Sequence, residues 1–484
     1  MTPNDLAPFV DRRQRFAAAL GDGIAVVPAA REATRNSDVG YEFRQDSDFF
    51  FLTGFDEPDA VAVFNPAHAK ERYVLFVRPR EREQEVWTGR RAGVEGAIAT
   101  YGADAAYTID RLDEKLREYL LDRPALYYRL GNAAYDGRVT RLVAELRGAR
   151  ARGFSPPARI EDPGPLVHEM RLRRSPVELE AQRRACQISR DAHTEAMRVA
   201  KPGMHEYEVQ AVIEYVFRAA GSPRNGYPSI VASGPNACVL HYVENRRRME
   251  DGDLLLIDAG CECGYHSADI TRTFPVSGRF TTPQREIYEL VLKAQLAALA
   301  AARPGNRYEA IHEAARRVLA EGLMALGLLP RSVEESLAMH HYREFYMHGT
   351  GHWLGMDVHD VGDYKIRRES RVLEPGMVLT VEPGLYFDPE REAVTFHLRE
   401  YSEEDQWERR YRLGVAAAKK VEEEEKAKAA KVLHPVPERY RGIGVRIEDD
   451  VLITADGCEV LTAGTPKTVA EVERACAEPS RFAR

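Results

Sequence analysis

The stretch LLLIDAGCECGYHSADITRTF, residues 254–274, decides how the chain is read. An apolar run ends in Asp258, a Cys-Gly pair follows, and Asp269 opens the return. If two strands fold back about Cys263-Gly264, the Asp side chains stand directly opposite, about 4.5–5.5 Å apart at Cβ. Like charges placed so are destabilising, and burying an unpaired carboxylate is costly. The spacing asks for a metal between them.

The pattern recurs downstream. VLTVEPG at 378–384 repeats the plan of LLLIDAG: an apolar run, an acid, a small residue or Pro, then Gly. HSADIT and GVRIEDD each add a second acid, Asp269 and Glu448, after Asp258 and Glu382. Two similar halves, each with two carboxylates, predict an internal two-fold that brings all four together. A single His from HGTGHWLGMDVHDVG (348–362) would complete the set. His348 and His352 have the i, i+4 spacing of a zincin helix, but the Glu of H-E-x-x-H is absent and two glycines intervene. Four carboxylates and one imidazole form an oxygen-rich site that favours Mn²⁺, with Co²⁺, Fe²⁺ or Zn²⁺ also admitted. Two ions about 3.5–4 Å apart can share such carboxylates and hold a hydroxide.

Outside these motifs the chain reads as α+β. AVAVF (60–64) and YVLFV (73–77) predict strands, and 109–122 a helix. SPPARIEDPGPL (155–166) reads as a linker between a first domain, 1–165, and a second, 166–470, with a tail at 471–484. Ser175-Pro176-Val177-Glu178 is a capping box that starts a helix ending near Ala200, and a second helix follows at about 205–220. Helical periodicity returns between about 283 and 328. Residues 389–440, with KKVEEEEKAKAAKVL, read as a charged surface insert, a solvated helix or an excursion between two strands.

Charge and hydropathy exclude several function classes. With 68 basic against 76 acidic residues and a net charge of -8, no patch invites nucleic acid or an anionic membrane. No run approaches the roughly 18 apolar residues that span a bilayer. MTPNDLAPFVDRRQRF lacks the basic start and apolar stretch of a signal peptide, so the expected location is cytoplasmic. Six cysteines are too sparse for a disulfide framework, and the Cys261/Cys263 pair lacks partners for a zinc site. No Gly-rich phosphate loop or Arg cluster accompanies the acids, which disfavours a two-metal phosphohydrolase.

These motifs, in this order, resemble those of the Xaa-Pro aminopeptidases (aminopeptidases P) of the pita-bread metallopeptidase family. RQDSDFFFLTGFDEPDAVAVF (44–64) resembles the family's noncatalytic, creatinase-like α/β first domain, and 167–470 its pita-bread catalytic domain. The resemblance implies two divalent metals held by Asp258, Asp269, His352, Glu382 and Glu448. It implies that His241 and His359 face the substrate and that Arg446 holds the ligand network. Glu382 would move the proton while a bridging hydroxide attacks the Xaa-Pro bond. Tyr227, Val358 and Arg371 are candidates for the proline pocket, and Trp87 would reach a neighbouring subunit's site in a homodimer or homotetramer. The expected partners are peptides with proline second. A dipeptide-limited prolidase and a metal-free binding module are the alternatives. The insert departs from the family pattern and is expected at the rim of the site.

Overall fold

The computed structural model describes residues 3–400 and 402–482. The chain divides into two compact units, Met1–Arg171 and Leu172–Arg484.

The first unit is built on a six-stranded sheet ordered Ala105–Thr108, Tyr73–Val77, Val61–Phe64, Ile24–Pro28, Ala125–Tyr127, Arg159–Glu161. The AVAVF and YVLFV runs are its central antiparallel strands, buried at every position, as continuous apolar runs require. In the RQDSDFFFLTG motif, Asp46 caps the Ser47–Thr53 helix through the Phe49 N–H, and Gly54 ends it at φ 65°. The segment expected as a linker contains Arg159–Glu161, an edge strand parallel to Ala125–Tyr127. Its flanking prolines are tolerated because they lie outside these three residues and at the sheet's edge.

The second unit packs the helices Pro176–Val199, Glu206–Ala219, Thr282–Ala301 and Glu309–Ala325 with short antiparallel ladders. The Ser175/Glu178 capping box forms as read, with the Ser175 N–H bonded to Glu178 Oε2 at 2.9 Å. Leu254–Asp258 pairs with Thr271–Pro275, and Val378–Val381 with Asp449–Ile453. Each ladder has one acid of the motif at or beyond the end of each strand, so the repeat in the sequence becomes two hairpins.

The register of the first hairpin differs from the expected one. Cys263 pairs with His266, and Gly264 and Tyr265 form the tip with φ 53° and 66°. Positive φ at both tip residues is the signature of a type I′ turn. Asp258 consequently lies opposite Thr271, not Asp269. The register moves by two residues, an even number, so both carboxylates still face the same side of the hairpin. They are diagonal neighbours, about 7–8 Å apart along the backbone, which leaves room for an ion. In the second hairpin one register runs through both Val381–Asp449 and Gly384–Arg446, and it sets Glu382 across from Glu448.

The insert is more ordered than a solvated helix. Ala393–Leu398 and Ala430–Pro435 form a six-rung antiparallel ladder, and the helices Glu403–Leu413 and Val415–Lys428 stand between them. Val394, Phe396 and Val436 enter the core of the second unit, and the His434 ring reaches the Gly327 carbonyl at 2.6 Å.

Candidate metal centre

Each acid of the site is delivered by the end of a strand and held there by a neighbour. Arg446 donates to Asp258 Oδ2 at 2.5 Å, to Thr271 Oγ1 at 2.9 Å and to Tyr386 Oη at 3.1 Å. Thr271 in turn donates its hydroxyl hydrogen bond to Glu448 Oε2 at 2.6 Å. Asp450 fixes the backbone of Asp269, accepting its N–H at 3.0 Å. His352 donates from Nδ1 to the Trp353 carbonyl at 2.9 Å, which leaves Nε2 aimed at the acids. Nε2 lies 3.4 Å from Asp269 and 3.7 Å from Glu382. The loop carrying His352 and His359 is tied down by the buried Arg174–Asp360 ion pair and by Arg174's bond to the Leu354 carbonyl at 2.7 Å.

The donors converge as a metal site requires. Asp269, His352 and Glu448 offer atoms that all lie within 4.8 Å of one another. Tyr227 Oη sits 2.6 Å from Asp258 and 2.6 Å from Asp269. One phenol has one proton, so it can satisfy only one of those two carboxylates. The residues fit a pair of divalent cations: three buried acids and the half-buried Glu382 face one permanent positive charge, Arg446.

The protonation equilibria carry the same imprint. Burial lifts the Asp258 carboxyl to about 6 despite Arg446. Burial lifts Glu382 to about 7, with repulsion from Asp269 and Asp258 opposing the pull of His352 and Arg446. Glu448 is driven well above the ordinary range by burial and by the other three acids. Burial alone would lower His352, but Asp269 and Glu382 raise it to about 9. Burial would likewise raise Asp269, but the hydrogen bond from His352 leaves it lowered. Without metal, protons occupy places where cations would sit.

A family model for metallopeptidase family M24 matches residues 180–455, and one for the aminopeptidase P N-terminal domain matches 9–127. The chain belongs to metallopeptidase family M24. The Xaa-Pro aminopeptidase of Escherichia coli (strain K12) is 42% identical over 468 residues, covering 96% of each chain. Xaa-Pro aminopeptidase 3 of Homo sapiens is 33% identical over 449 residues, 92% of this chain and 79% of that one. Among solved structures, Pseudomonas aeruginosa aminopeptidase PepP superposes with a TM-score of 0.86 at 44% identity, covering 97% of each chain. Zinc-substituted E. coli aminopeptidase P in complex with product gives 0.85 at 41%.

Within this M24 chain the other sequence candidates fall in different surroundings. The His359 ring lies 4.2 Å from that of His352, edge to face, and burial lowers its pKa. His241 is exposed and within electrostatic range of His348 and His359. Tyr227 stands between two acids. Val358 packs against the Leu354–Val378–Leu452 cluster, and Arg371 is buried, its backbone bonded to Tyr308 and Tyr364. Trp87, on the Arg82–Thr88 helix of the first unit, is 85% exposed.

Three residues escaped the sequence reading. His348 bonds through Nδ1 to the Gly349 carbonyl at 2.7 Å, so Nε2 accepts from Tyr386 Oη at 2.8 Å. Burial pushes His348 down to about 3, which keeps it neutral. Tyr386 links His348 to Arg446, and Thr271 links Arg446 to Glu448. Tyr386 had a signal, since it lies two residues beyond Gly384 on one face of the VEPGLYF strand. His348 was visible only as half of a pair at zincin spacing, which the missing Glu had already disfavoured.

Proposed function

We propose that this protein releases the N-terminal residue from peptides whose second residue is proline, and that Asp258, Asp269, His352, Glu382 and Glu448 hold two divalent metals. The observation that carries this reading is the convergence of Asp269, His352 and Glu448 in a chain 42% identical, over 96% of its length, to an Xaa-Pro aminopeptidase. Manganese suits the oxygen-rich donor set best, with Co²⁺, Fe²⁺ or Zn²⁺ also compatible. When bound, the ions supply Lewis acidity and acidify water.

The protein's own groups supply the rest. A tertiary Xaa-Pro amide has no N–H, so recognition must rest on the ring and the free amine rather than on an extended backbone. Glu382, a carboxylate beside His352 at the centre, is suited to take a proton from water and return it to the proline nitrogen. His359, whose ring lies beside that of His352, and the exposed His241 would supply the donor that stabilises the developing oxyanion. Arg446 donates to Asp258 and orients it, and Asp258 would receive the substrate's α-amino group.

The test is a side-by-side assay of Xaa-Pro dipeptides and Xaa-Pro-Xaa tripeptides, each with and without Mn²⁺. Tripeptides should be cut faster, releasing only the first residue. Ala-for-Pro analogues should be slow and N-acetylated peptides inert. Cleavage of dipeptides alone would make the protein a prolidase.

A further inference from the structure

The helical hairpin of the insert carries two aromatic rings that no core explains. Trp407 and Tyr411 are 70% and 92% exposed, and their i, i+4 spacing puts them on one face of the Glu403–Leu413 helix. That face lines one wall of a cavity of about 800 Å³. The opposite wall is the loop and hairpin at 363–370, with Tyr364, Lys365 and Arg368.

This groove continues toward the metal centre. Tyr364 and Lys365 also line a second cavity, of about 260 Å³, whose walls include His348 and Gly351. The Tyr364 ring stacks on Trp353 at 5.4 Å and 7°, and the Trp353 N–H donates to Tyr364 Oη at 3.0 Å. Trp353 is the neighbour of His352, so one wall of the groove is anchored to the centre itself.

The charge of the groove selects its occupant. Lys365 and Arg368 form no ion pair among the described residues. Glu408 is already tied to Arg412 at 2.6 Å, which leaves Asp363, among the described residues that line the groove, as the one acid facing two uncommitted cations.

We infer that this groove binds the part of a peptide substrate that lies beyond the proline, with Lys365 and Arg368 drawing acidic side chains and Trp407 and Tyr411 covering the backbone and apolar groups. The inference rests on the proposed Xaa-Pro cleavage and names its substrate class: extended peptides with acidic residues downstream. Aromatic faces set beside cations suit such a chain, because they stack without demanding one sequence.

The experiment uses the manganese-loaded full chain and three substrates: an Xaa-Pro-Xaa tripeptide, and two decapeptides beginning Xaa-Pro that carry either Asp and Glu or Lys downstream. The acidic decapeptide should exceed the basic one in kcat/KM by about tenfold, the scale of two exposed ion pairs acting together. Lys365→Glu with Arg368→Glu should reverse that order. Trp407→Ala with Tyr411→Ala should raise KM for both decapeptides while the tripeptide, too short to reach the rings, changes by less than about twofold. Equal treatment of the two decapeptides by the wild-type chain would overturn the inference, as would variants that slow all three substrates alike. Loss of an oligomer in the aromatic variant, seen by sedimentation, would also overturn it by making the face a contact between copies. If the wild-type chain cuts no Xaa-Pro peptide at all, the function itself fails, a distinct result.

Discussion

Loading the centre with metal should expel protons, and their number follows from the structure. The perturbation is to titrate Mn²⁺ into metal-free protein at pH values from 6 to 8. His352, raised to about 9 between Asp269 and Glu382, carries its proton almost fully at pH 7. Freeing Nε2 for a metal at that pH costs about 3 kcal/mol, two pH units at roughly 1.4 kcal/mol each. Glu382, at about 7, is half protonated there, and Glu448 lies well above its ordinary range. Filling the site at pH 7 should therefore release about two protons, shared across the cluster rather than owned by one residue. The sign follows: every one of these groups must lose a proton to become a ligand, so affinity rises with pH up to about 9. Near pH 7 the dissociation constant should fall about 100-fold per pH unit. Calorimetry in two buffers of different ionisation enthalpy counts the protons directly. Release of fewer than half a proton, or an affinity flat with pH, would refute the reasoning.

Three further outcomes are expected. Asp269→Asn keeps the shape but removes the charge that His352 and Tyr227 address, so metal content and turnover should collapse together; two tightly held ions and wild-type turnover would remove Asp269 from the ligand set. His359→Ala should lower kcat by about 10²-fold, the usual scale for an oxyanion donor, with metal content unchanged by elemental analysis, whereas a change in KM alone would make it a binding residue. Replacing 400–428 by a short turn should keep tripeptide hydrolysis within about tenfold and both metals in place. The cut spares the strands on either side because Val394, Phe396 and Val436 belong to the core.

The residues that carry the fold's logic were legible because they combine an apolar period with a misplaced charge. Asp258, Asp269, Glu382 and Glu448 each interrupt or end a buried run, and the repeat of that pattern announced two hairpins. The register was less legible. A tip at Gly264-Tyr265 requires Tyr265 to adopt φ 66°, which a bulky side chain seldom does and no propensity suggests. Tyr227 lies 31 and 42 positions from the acids it touches, in a loop without period, so only the folded chain reveals its role. The insert's helices were written in its Lys, Glu and Ala content. Its strand AVTFHL alternates buried and half-buried residues from Ala393 to Phe396, a signal masked by the charge around it.

The tie that completes the centre spans most of the second unit. Arg446 grips Asp258 across 188 positions, and Thr271 meets Glu448 across 177. Contacts of such range form only once the loop-closure entropy between distant segments has been overcome. A newly made chain therefore has no place to put its metal until its distant halves have met. Metal content is then a certificate of assembly: truncated or misfolded copies stay empty, and stray peptidase activity from half-built molecules is prevented by topology alone.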